Sequence, residues 1–251
     1  MRINDYEFTE ICLDFLKGIE SSINEQLLIE EKSLKESEHG FAKYENGIPL
    51  IELNENEPFK TDVILHEAFH LKLKIEGMPN IGFELPNGNN SENNRVYLEW
   101  FAHLFWDKVT HHYFYKIFDK NLDISPFEPF KVEIDEAIQS GELKGLNDAT
   151  KEIALAGYLL QAFVETNDQM YINKFKKFLE IHYESIGVEK GEELIQIFKD
   201  NPLDAFDNCI ELFILVFDFI HKGQGITIKG YKRKSKENDN FIENYILFRI
   251  V

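Results

Sequence analysis

The chain has 251 residues, 43% of them hydrophobic, with 22 phenylalanines and a formal net charge of −18. That much apolar material fills one large core or two small ones, so the chain reads as globular and not disordered. The negative charge argues against non-specific binding to nucleic acid or anionic lipid, because each needs a positive face.

Cys12 and Cys209 stand alone among apolar neighbours, which reads as two reduced, buried thiols and excludes a disulfide framework. The first residues, Met1-Arg2-Ile3-Asn4-Asp5, turn acidic at once and do not read as a signal peptide. The longest apolar stretch, Leu212 to Ile220, is interrupted by Asp218 and is too short to span a bilayer. The expected location is cytoplasmic.

In chain order, residues 5 to 36 carry apolar positions at helical spacing (Phe8, Ile11, Cys12, Phe15, Leu16, Ile19, then Ile23, Leu27, Leu28). This predicts one or two amphipathic helices. Phe41 to Glu45 and Ile48 to Leu53 flank Asn46-Gly47, a strong hairpin signal because both residues tolerate positive φ. Pro49 suggests that the second strand has a free side, at an edge or a bulge. A helix is expected from an N-cap at Thr61, with Asp62 in its first turn, to Gly77-Met78-Pro79. Residues 80 to 94 hold Gly82, Pro86, Gly88 and several asparagines and read as a loop. A second helix runs from about Arg95 to Phe118. Asp123 to Pro129 is the expected domain boundary. Beyond it helices are predicted at roughly 147 to 166, 168 to 186, 189 to 200 and 202 to 222, with a terminal hairpin from Ile226 to Val251.

His66-Glu67-Ala68-Phe69-His70 is an H-E-x-x-H sequence on a predicted helix. Histidines at i and i+4 share one face, so both imidazoles reach one zinc ion. Glu67 is displaced around the helix toward an open coordination position. There it can take a proton from a water whose pKa the metal lowers to about 7. A third ligand is required, and Glu99 offers one on the next helix, with Glu92 a weaker candidate in the loop. His103, one turn beyond Glu99, is a catalytic candidate: it can donate to a developing oxyanion, orient Glu99, or act as an alternative ligand. His111 and His112 point about 100° apart, cannot grip one metal together, and read as a solvated helix end. Lys232-Arg233-Lys234 reads as a solvated hairpin turn, not a nucleic-acid patch.

With these residues in place, the sequence resembles the zincin superfamily and, distantly within it, the ImmA/IrrE-type metallopeptidases. Ile48 to Leu53 matches that family's strand, His66 to His70 its zinc helix, and Glu99-Trp100-Phe101-Ala102 its third-ligand segment. The resemblance covers at most residues 1 to 110. It implies cleavage of a protein partner, often a transcriptional repressor, in the cytoplasm, and no helix-turn-helix here would let the chain read DNA itself.

The expected architecture is α+β: a zincin-like region at 1–120 with a small edge-exposed sheet and the H-E-x-x-H helix, then a mostly helical region at 121–251. The expected function is zinc-dependent peptide hydrolysis on a protein or peptide substrate, with zinc on His66, His70 and Glu99 and Glu67 as the base. Alternatives are an inactive zincin-like binding module and a metal-dependent hydrolase of a non-peptide amide. An edge strand at Ile48 to Leu53 would pair with an extended substrate.

Overall fold

The computed structural model describes residues 2–35, 38–45, 47–85, 92–122, 128–143, 146–183, 185–237 and 242–251. Among them, eight α-helices and two three-stranded sheets make an α+β fold. Two compact units divide the chain, each drawn from three stretches.

The first unit comprises Met1–Asn80, Asp119–Pro129 and Arg233–Tyr245. Helix α1 (Glu10–Ile23) starts at Thr9, whose hydroxyl accepts from the Cys12 amide, and buries Cys12, Leu16, Ile19 and Ile23. It stops at Asn24, which takes the left-handed conformation at φ 56°, a position asparagine tolerates better than most residues. The expected helix to residue 36 is therefore cut short. Leu28–Lys32 instead forms strand β1, and Leu28 pairs with the sheet rather than continuing the helical stripe.

Strands β2 (Gly40–Glu45) and β3 (Ile48–Asn54) form the expected hairpin, with Glu45 opposite Ile48 and Gly47 at φ 80°. Asn46 lies outside the described residues. Strand order is β1-β3-β2, so β3 is central and not an edge. It runs antiparallel to β2 and parallel to β1. Pro49 is accommodated because the register with β1 begins only at Leu50, so its missing N–H removes no bond from that ladder.

One face of β3 presents Glu52, buried yet held by Lys32 and by Lys43 Nζ at 2.8 Å. The two cations hold its carboxyl below the usual range. The other face presents Ile51 and Leu53, both fully buried. Helix α2 (Lys60–Ile75) packs against β2, β3 and α1. Its approach depends on Gly40, where a Cβ would lie 2.9 Å from Val63 Cγ1 and from the Glu52 carbonyl. The helix begins at Lys60 rather than after a Thr61 cap. The Glu57 carboxylate accepts from the Phe59 amide at 2.8 Å just ahead of it.

The second unit comprises Ile81–Phe118, Phe130–Lys232 and Ile246–Val251. Its helices are α3 (Glu92–Leu122), α4 (Glu128–Ser140), α5 (Lys151–Thr166), α6 (Gln169–His182), α7 (Ser185–Asp200) and α8 (Phe206–Ile220). Helix α4 has no counterpart in the sequence reading. The others match expectation to within a few residues. Asn167 ends α5 in the left-handed conformation and Asp168 caps α6, accepting from the Met170 amide at 2.9 Å. Helices α5, α6 and α7 pack on one another, and α7 packs on α8. Phe101 and Trp106 of α3 meet Phe217 and Phe213 of α8 at 5.3 and 5.7 Å between ring centres.

A second sheet holds β4 (Asn80–Glu84), β5 (Ile228–Glu237) and β6 (Ile242–Ile250) in the order β4-β6-β5. The terminal hairpin is therefore present, and Thr227 and Val251 exchange both backbone bonds at its open end. Asn80–Glu84 is a strand where a loop is expected. Lys232-Arg233-Lys234 lies within β5 and not in a turn. The remainder of the expected loop at 86–91, the charged turn at 238–240, and residues 123–127 of the expected boundary between 1–120 and 121–251 lie outside the described residues. Both cysteines are free and buried. No helix of the described residues is long and apolar enough to cross a membrane.

Candidate metal centre

The H-E-x-x-H segment occupies the middle of α2, in a stretch buried almost without interruption from Val63 to Phe69. Phe69, one of its two variable positions, stacks on Phe15 of α1 with 4.5 Å between ring centres. His66 and His70 stand one turn apart with their Nε2 atoms 3.2 Å from each other. Two nitrogens bound at about 2.0–2.1 Å to a tetrahedral zinc ion lie about 3.3 Å apart. The observed separation matches two corners of such a site.

The third member of the cluster is His111 of α3. Its ligand atom and those of His66 and His70 all lie within 4.8 Å of one another, and the three imidazoles can hold a metal ion. His66 and His111 are buried, and His70 is half-buried. Burial pushes the His111 pKa well below its ordinary value, and the nearby Lys108 ammonium acts in the same direction. The ring is therefore neutral near pH 7, the form in which imidazole binds metals. His111 Nδ1 lies 2.6 Å from Glu165 Oε1 of α5. A neutral imidazole that donates Nδ1–H to this carboxylate presents Nε2 as its ligand atom.

An all-nitrogen donor set suits zinc and other late first-row metals better than calcium or magnesium, which take oxygen ligands. Three protein ligands also leave a fourth position open, the arrangement of catalytic zinc sites rather than structural ones. The three imidazoles present fit such an ion.

Glu67 is buried beside His66. Glu99, expected as the third ligand, is not part of the cluster. Its side chain is 62% exposed and faces Arg95 at 3.7 Å, while Glu92 is 70% exposed and bonds the same arginine at 2.8 Å. His103 is exposed on α3. On a helix, position 111 is rotated about 120° from position 99 and about 80° from position 103, so the buried and exposed candidates lie on different faces. His111 and His112 are both buried and are not a solvated helix end. The expectation that two adjacent histidines cannot share a metal fits their placement, for His112 turns away to rings of Phe163 and Phe198 at 5.9 and 5.2 Å.

Sequence reasoning missed His111 and Glu165. One signal was available for the second: Glu165 is an acid in the last turn of an apolar helix, where the helix dipole disfavours negative charge. In comparisons with known proteins, no family model, no curated protein and no solved structure matches this chain.

Proposed function

We propose that this chain is a zinc-dependent hydrolase of peptide bonds, with the ion held by His66, His70 and His111 and with Glu67 as general base. The observation that carries the reading is the 3.2 Å approach of two buried-face imidazole nitrogens one turn apart, within reach of a third imidazole. When bound, zinc lowers the pKa of a coordinated water to about 7 and polarises a carbonyl. The remaining work falls to the chain. Glu67 takes the proton of the attacking water and passes it to the leaving amine as the C–N bond breaks, so the carboxylate is regenerated each cycle.

The histidines contribute no charge to the first coordination sphere. Compensation of the ion comes chiefly from Glu165, the buried carboxylate bonded to His111. Glu99 and His103 take no part in holding the ion in this reading, since both are exposed on α3.

The test combines elemental analysis with a cleavage screen of a peptide library. Protein purified without chelator should hold about one zinc per chain and cleave a subset of peptides. If it holds zinc and cleaves none of them, the peptidase reading fails. If it holds none, and added zinc leaves its melting temperature unchanged, the metal reading fails as well.

A further inference from the structure

We propose that Glu165 is the positioning residue of the metal centre, acting on the ion through His111. The inference rests on the three-histidine reading above and deepens it. Glu165 is 1% exposed, at the penultimate position of α5, and its Oε1 lies 2.6 Å from His111 Nδ1. Burying a carboxylate there opposes two forces at once. It loses hydration, and it sits at the negative end of a helix dipole. Such a cost calls for a compensating reason.

A metal ligand gives one. A carboxylate accepting from Nδ1–H fixes the tautomer of the ring, aims Nε2 at the ion and raises its basicity. It also brings a negative charge within two bonds and a ring of a divalent cation, in a medium where that charge is weakly screened. The position of α5 is itself firmly set. Gly187 and Gly191 of α7 let the two helices approach so closely that an added Cβ would meet Leu155 Cβ at 2.8 Å and Leu159 Cβ at 3.0 Å. The carboxylate is thus delivered to His111 by a rigid element and not by a loop.

The experiment is a double-mutant cycle read by zinc affinity, measured by competition with a chromophoric chelator on the full chain. Glu165→Gln keeps an acceptor for Nδ1–H but removes the charge. Zinc affinity should fall by about 10–100-fold, while the melting temperature of the metal-free protein stays within a few degrees of wild type. In a His111→Ala background, titrated at the higher zinc concentrations that the remaining His66–His70 pair requires, the same substitution should change the apparent affinity less than twofold. Glu165→Asp, which restores the charge with a shorter arm, should recover part of the loss, and it takes the place of the glutamine variant should that one fail to fold. Unchanged affinity in Glu165→Gln overturns the proposal while leaving the metal site standing. A loss of equal size in the His111→Ala background also overturns it, because Glu165 would then act on the fold and not through His111. Absence of zinc binding in the wild type removes both readings.

Discussion

Glu67 and His70 stand three residues apart in one motif, yet their chemistry is opposite. His70 faces His66 at ligand distance, while Glu67 is rotated about 100° from His66 and is buried without belonging to the imidazole cluster. Glu67→Gln should therefore retain zinc within a few-fold of wild type and lose at least about 10²-fold in kcat on any peptide that is cleaved. Zinc loss in that variant, by elemental analysis, would make Glu67 a ligand. A second histidine predicts a pH response. His221 Nδ1 donates to the Phe217 carbonyl at 2.8 Å, and its Nε2 accepts from the Tyr97 hydroxyl at 2.9 Å, which stays protonated because burial pushes its pKa to about 12. Burial lowers the His221 pKa below the ordinary 6.5, against the pull of the Phe217 carbonyl. The unfolded chain then binds the proton more readily, so stability present above about pH 6.5 is lost as pH falls below it. Urea unfolding of the metal-free protein should show a lower midpoint at pH 5.5 than at pH 7.5, and His221→Phe should lose less over that interval. An equal loss in both proteins would contradict the assignment. The pair His66 and His70 was legible in the sequence because one helical turn fixes their geometry locally. His111 was not, because 41 residues separate it from His70 and only tertiary placement brings it within reach.

At the scale of elements, helices with regular apolar spacing were legible and short strands were not. Helices α5 to α8 stand close to their expected bounds because period and caps agree, as at Asn167 and Asp168. Strands β1 and β4 fall where the sequence pattern predicts helix and loop. Five residues carry too little period to distinguish a strand, and their pairing partners lie elsewhere in the chain. The expected edge position of β3 fails for a related reason: Pro49 does mark a free side, but only over Ile48 and Pro49, ahead of the register with β1 that starts at Leu50. Helix contacts also decide the sign of a glycine substitution. Gly187→Ala gains about 0.5–1 kcal/mol in helix propensity but drives a Cβ to 2.8 Å from Leu155 and 3.1 Å from the Glu152 carbonyl, an overpacking that costs about 1–3 kcal/mol. Net destabilisation follows. Gly18→Ala in α1 has nothing within 4 Å of the new methyl and should stabilise by about 0.5–1 kcal/mol. Denaturant midpoints shifting in opposite directions check both, and a stabilised Gly187→Ala would mean that α5 and α7 are less tightly apposed.

At the scale of the whole molecule, the three imidazoles come from positions 66, 70 and 111, so the unfolded chain offers no preformed site and an ion held by them would bind the folded state. Zinc at about a hundred times its Kd should add roughly 2.7 kcal/mol of stability and raise Tm by roughly 5–10 °C for a chain of this length, with reversal by chelator. The measurement that bears most directly on the central claim is the zinc content of three proteins purified side by side: wild type, His111→Ala and Glu99→Ala. A buried three-histidine centre predicts about one zinc per chain in the wild type and in Glu99→Ala, and little or none in His111→Ala. Zinc lost in Glu99→Ala and retained in His111→Ala would contradict it.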